Sequence, residues 1–326
     1  MMKFDRRILL FIGLFFFAFI LSRVDLGLVA VTLAGIDAAI YVSALFVLLM
    51  LILLKGLKWK AILKSQGQVI SLAESTWLVN VGFFVSSVTP GRIGDFVRAL
   101  YLKGDGVPLS IGVSSVILDR VIDVSILLGF ALLSSLAFIS FYGYSAVSVE
   151  LIFSVFLVFI LGVFLLFKEK YLKILLRPAF NFIVPDDMKE RVSVGFSSFF
   201  SALKLVKKSP VLFLSSVLLG IVIWVVGTFF FYLLAVSLSI GMPLEFAFLV
   251  FPITSLLDLL PISVSGIGTR DVSLVFLLSF VSVSSESAVA LSLLFFFTGY
   301  VLVSFFGFMF FLRRPINMRF LDSKIM

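Results

Sequence analysis

This sequence has no cysteine and no histidine. Disulfides, thiol chemistry and metal sites built on sulfur or imidazole are therefore excluded. Charge is scarce as well. Only 13% of the 326 residues are charged, against about a quarter in a soluble globular chain. What is there instead is apolar: 62% hydrophobic residues, including 41 phenylalanines. Such a chain reads as an integral membrane protein. The net charge of +8 would suggest nucleic acid in a soluble protein. In a membrane protein its ordinary source is Lys and Arg in cytoplasmic loops, so no nucleic acid partner is expected. No G-x-x-x-x-G-K-[ST] phosphate loop occurs, so ATP hydrolysis is not expected. No cofactor or metal is implied.

A spanning helix needs about 20 mostly apolar residues. Candidate spans run over 8–22, 38–54, 110–140, 150–167, 210–239 and 287–312. The first follows MMKFDRR but lacks a small-residue cleavage site, so it reads as a membrane helix rather than a signal peptide. With the N-terminus cytoplasmic, 21 of the 26 basic residues fall in inside loops, with Lys55 and Lys58 counted among them. Arg23 falls outside. This bias places both termini in the cytoplasm and the chain in the cell membrane as a multi-pass protein. It leaves Arg92, Arg98, Arg120 and Arg270 unassigned to loops.

Two further apolar segments are broken in the middle. Residues 70–103 break at SSVTPGRIG (86–94), and residues 243–284 break at DLLPISVSGIG (258–268). The expected fold is therefore all-α, a polytopic membrane protein of about six through-spanning helices plus two re-entrant helical hairpins. The hairpins enter from opposite sides. Irregular backbone at membrane depth is tolerated only inside protein or along a wet cavity. Two short full spans for each segment would preserve the same sidedness and stay open as an alternative. Residues 1–326 form one domain. Within it, Val192, Phe196, Phe199, Leu203 and Val206 share one helical face, amid lysines. Residues 187–206 are thus expected as a cytoplasmic amphipathic helix on the inner leaflet.

Charges inside membrane segments cost about 2.5–3.5 kcal/mol each near a helix centre. This chain has Arg92, Asp95 and Arg98 in the first hairpin, Asp119, Arg120 and Asp123 in the third span, and Asp258, Arg270 and Asp271 in the second hairpin. Asp119 and Asp123 share a helix face, and Arg120 is within reach of Asp123. Pro90 and Gly91 interrupt the first segment, and Gly94 permits a close backbone approach. Pro261, Gly266 and Gly268 repeat the recipe in the second. A helix start beside guanidinium groups suits a phosphate. These fifteen residues are the candidate substrate-binding set. Structural ion pairing among the charges is the competing reading.

TPGRIGDFVRALYLKGDG (89–106), ILDRVIDV (117–124) and LPISVSGIGTRDVSLVFLL (260–278) resemble the lysylphosphatidylglycerol synthase transmembrane region family. Asp95, Asp119 and Asp271 stand where that family often has glutamate, keeping charge and shortening reach. The family's aminoacyl-transferase domain has no counterpart in this sequence. The resemblance therefore implies lipid handling or flipping rather than lipid lysylation. It also implies a partner lipid with an anionic phosphate headgroup: an aminoacylated phospholipid, or a polyprenyl- or dolichol-phosphate-linked glycolipid. The expected protein is a non-enzymatic lipid flippase. The alternatives are a membrane enzyme of lipid-linked phosphate or sugar metabolism, with Asp119 and Asp123 on Mg²⁺, and a scaffold partnering a lipid synthase or glycosyltransferase.

Overall fold

A computed structural model describes residues 18–87, 89–143, 149–166, 168, 170–171, 186–259 and 266–314. Among them the chain is helical, with short 3₁₀ and π stretches and no strand. The order is α1 (Leu26–Ala34), α2 (Ala38–Ser65), α3 (Leu72–Ser87), a 3₁₀ turn (Pro90–Phe96), α4 (Val97–Gly104), α5 (Leu109–Tyr142) and α6 (Val149–Leu166). There follow α7 (Asp186–Leu205), α8 (Pro210–Ser237), α9 (Leu244–Leu259), α10 (Thr269–Ser279), α11 (Ser285–Phe295), a π stretch (Phe296–Leu302) and α12 (Val303–Arg313).

Local chemistry sets the ends. The Asp25 and Asp37 carboxylates accept from the first free N–H groups of α1 and α2. Pro210 opens α8, where its missing N–H costs nothing. Gly143, at φ +64°, closes α5 in the left-handed conformation.

Among the described residues, four helical runs are long and apolar enough to cross a bilayer: α2, α5, α8 and the continuous run Ser285–Arg313. They match the expected spans at 38–54, 110–140, 210–239 and 287–312. The expected span at 150–167 falls on α6, whose described side chains are almost all apolar and outward-facing, Val158 and Leu151 among them, but whose apolar stretch among the described residues, Phe153–Phe164, is shorter than a full span. Of the span at 8–22, residues 8–17 lie outside the described residues. The outer surface is hydrocarbon, with Phe46, Leu133, Val211 and Leu312 well exposed. A soluble protein does not carry so large an apolar surface, whereas a lipid-embedded one does.

The span expected at 38–54 is corrected at its end. The helix does not stop near Leu54 but runs 28 residues to Ser65, about 42 Å. Lys55 and Lys58 therefore belong to a helix, not to a loop. Trp59, Ile62 and Leu63, all fully buried, carry it onward.

Both broken segments are helix–break–helix. In the first, Pro90 biases Thr89 to extended backbone (φ −114°, ψ 138°), which ends the helical path. The Thr89 hydroxyl donates to the Val85 carbonyl at 2.8 Å and accepts from the Gly94 N–H at 3.0 Å, stitching the two legs together. In the second, Gly266 and Gly268 both sit at positive φ. Residues 260–265, with Pro261, lie outside the described residues. At 16 residues, α3 and α9 are each about 24 Å long, short of the ~30 Å hydrocarbon core.

α2 lies along α8, α12 along α3, and α5 against α9. α7 forms as expected, over Asp186–Leu205. The described part of its apolar face does not lie on lipid, however. Phe200, Leu203 and the following Val206 are buried with Ile62, Leu118 and Ile122 of α2 and α5. The bundle itself supplies the apolar groove.

Candidate functional site

α2, α5 and the first broken segment bring six charged side chains together. Lys58 is almost fully buried on α2. Its Nζ lies 2.9 Å from Asp119 Oδ1 and also bonds Asp123 Oδ1. Asp119 and Asp123, one turn apart on α5, thus grip one ammonium. The second oxygen of Asp119 accepts from Arg98 Nη1 at 3.0 Å. Arg98 Nη2 lies 3.9 Å from Asp95 Oδ1, and Arg120 closes the network on Asp95 Oδ2. Arg120 therefore bridges α5 to the first broken segment. The Arg98 guanidinium also stacks 4.9 Å over Trp59, whose indole N–H donates to Ser115 at 3.2 Å. Ring and carboxylate together hold a fully buried cation.

Glycines make room for this. A Cβ on Gly82 would sit 3.1 Å from Arg98 and Asp95. A Cβ on Gly94 would lie 2.3 Å from the Val85 carbonyl carbon. The close approach that Gly94 permits is thus to the other leg of its own segment. Pro90, Gly91 and Arg92 form the start of the 3₁₀ turn, and their side chains lie outside the described residues.

The second broken segment builds a separate pair. Arg270 Nη1 lies 3.6 Å from Asp258 Oδ2, and its Nε donates to Ser292 at 3.0 Å. Phe295, Phe296 and Tyr300 surround the guanidinium at 5.4–5.8 Å. Gly266 clears the space for Asp258, since its Cβ would fall 2.3 Å from that carboxylate. Asp271 serves its own helix: Oδ2 accepts the Gly268 N–H at 2.7 Å.

A cavity of about 240 Å³ joins the two groups. Lys55, Lys58, Asp95, Arg98, Asp119, Arg120 and Asp123 line it, and so does Asp258 from the second segment. The rest of its wall is largely apolar, aliphatic side chains alternating with Phe83, Trp224, Phe230, Phe251, Phe295 and Tyr300. Six of the sequence-predicted residues thus face one space. Gly94, Gly266, Gly268 and Asp271 shape the backbone around it. Asp119 and Asp123, weighed as a carboxylate site for Mg²⁺, bond instead to an ammonium.

Lys58 is the residue that sequence reading missed, and with it Trp59 and Lys55. Counting charges by loop assigned both lysines to the cytoplasm. The signal was the continuing helical face Trp59–Ile62–Leu63, which carries α2 past its lysines.

Helices of spanning length, a lipid-like outer surface and a charged interior cavity define a polytopic α-helical membrane protein. The model of the lysylphosphatidylglycerol synthase TM region matches residues 7–307, and the chain belongs to that family. It is similar to the UPF0104 membrane protein MJ1595 of Methanocaldococcus jannaschii, at 25% identity over 95% of this chain and 96% of that one. It is also similar to the UPF0104 membrane protein MJ1078 of the same organism, at 24% identity over 69% of this chain and 91% of that one. No solved structure matches it.

Proposed function

We propose that this protein carries a phosphate-bearing lipid headgroup between the leaflets of the cell membrane. The observation that supports this most is a cavity lined from both broken segments. Four cations line it near the first segment (Lys55, Lys58, Arg98 and Arg120), against three carboxylates (Asp95, Asp119 and Asp123). The surplus is positive, which suits one anionic phosphate. Asp258 is matched by Arg270. A polar chamber among apolar helices lowers the cost of moving a phosphate across about 30 Å of hydrocarbon.

In this reading the two broken segments are re-entrant, the first from the cytoplasm and the second from outside. Opposed broken helices around a midplane site suit alternating access. Both termini are cytoplasmic, and the protein moves its lipid without chemical change. Family membership fits a lipid-related role at the membrane.

The test is reconstitution into vesicles carrying a fluorescent lipid, with quenching of the outer leaflet. Aminoacylated phospholipid and polyprenyl-phosphate-linked lipid form the two arms. Faster transbilayer exchange than in protein-free vesicles is expected in one arm, and Arg98→Gln should slow it at least tenfold. Equal rates with and without protein in both arms would falsify the reading.

A further inference from the structure

Lys58 is a cation buried in the cavity wall, yet it is fully occupied. Its two carboxylate partners are not equivalent. Asp119 is held at both oxygens, by Lys58 and by Arg98, and its side chain is 9% exposed. Asp123 meets Lys58 through Oδ1 and is 31% exposed on the cavity. One partner is clamped, and the other stands where an incoming anion would stand.

We propose that Asp123 is a built-in surrogate for the ligand's phosphate, and that the phosphate displaces it from Lys58 as the carboxylate takes up a proton. This rests on the proposed anion site and adds how that site is occupied, emptied and coupled. The proton follows from electrostatics. An anion on Lys58 deprives Asp123 of its counter-charge, and a lone carboxylate at membrane depth is costly. The other groups facing this space are already engaged. Arg98 holds Asp119 and Asp95, Arg120 holds Asp95, and Asp258 meets Arg270. Lys55 lies 5.7 Å over Phe83. α8 contributes Ile223, Trp224, Gly227 and Phe230 and no ionisable group to the lining, and Tyr300 of the π stretch packs its ring on Arg270. Protonation moves one H⁺ onto the carboxylate and breaks no covalent bond. Anion and proton then occupy the cavity together, which links lipid movement to the proton gradient.

The experiment measures binding of dimethyl phosphate to the purified full chain, from about pH 5 to about pH 8. This diester stays a monoanion throughout, and only protein groups change charge. One coupled proton predicts wild-type affinity rising toward tenfold per unit fall in pH. Asp123→Asn removes the surrogate charge and keeps the shape. It should bind at least tenfold more tightly than wild type at the high end, with no pH dependence. Lys58→Met with Asp123→Asn removes one charge of each sign, leaves Asp119 on Arg98, and should lose binding at least tenfold. Wild-type binding that Asp123→Asn leaves unchanged, or whose pH dependence survives in that variant, overturns the exchange alone. No binding by any form at any pH overturns the anion site itself.

Discussion

Gly94 and Arg270 show how differently two residues of the same motif type are used. Gly94 separates the legs of the first broken segment by less than a methyl group allows. Gly94→Ala should therefore destabilise by about 1–3 kcal/mol through overpacking. A clear fall in melting temperature in detergent is the expected result, and an unchanged one would mean that the legs part easily. Arg270 is only 3% exposed, held by Asp258, Ser292 and three rings. Arg270→Met leaves the Asp258 carboxylate without its guanidinium. Such a half-broken buried pair costs about 3–5 kcal/mol. Adding Asp258→Asn should recover folded protein, measured as the monodisperse fraction after extraction. If the double variant is no better than the single one, the pair does not act as a unit.

Among the elements, α7 gives the sharpest contrast. Its amphipathic pattern suits an inner-leaflet surface equally well, yet Phe200 and Leu203 pack on Ile62, Leu118 and Ile122. Gln66, just past α2, adds a polar tie. Its Nε2 donates to Ser114 at 2.7 Å and to the Ala202 carbonyl at 3.4 Å. Phe200→Ala should thus cost about 3–5 kcal/mol, as in a protein core. Melting of the purified protein tests it, because a ring that faced lipid would be lost at little cost. A second tie joins the end of α12 to the first broken segment. Arg314 pairs with Glu74 at 3.5 Å and with Asp105, which flank the two legs. These side chains are partly exposed, and such pairs contribute only about 0.2–1 kcal/mol. The tie locates the base of the segment more than it stabilises it.

For the molecule as a whole, the proposed sidedness rests on where the remaining cations gather. Lys64, Lys103, Lys204, Lys208 and Arg314 lie in or beside the connections assigned to the inside. Ser285→Cys, at the start of α11 beside the outer connection, should label from outside in intact cells. Lys208→Cys, between α7 and α8, should label only once the membrane is permeabilised. Both positions are exposed. The reverse pattern would invert the proposed orientation.

By itself the sequence determined the class of the protein, the places where its helices break and most of the charges that matter. Hydropathy over some twenty residues is a local property, and so is the effect of Pro90 or Gly266 on the backbone. Asp95, Arg98, Asp119, Arg120, Asp123 and Asp258 could be singled out because charge within an apolar run is anomalous wherever the run folds. Partners could not be assigned that way. Arg120 stands three residues from Asp123, yet it reaches across to Asp95, while Asp123 turns to Lys58 on another helix. Lys58 itself was hidden by a cluster of neighbouring lysines that mimics a loop. Only the packing of α2 against α5 and α8 distinguishes the buried lysine from the exposed ones. Gly220 of α8 supports that packing, since a Cβ there would meet Ile126 at 2.6 Å and Ile122 at 3.1 Å. The identity of a counter-ion depends on distances between helices, and those distances are set by small residues far apart in the chain.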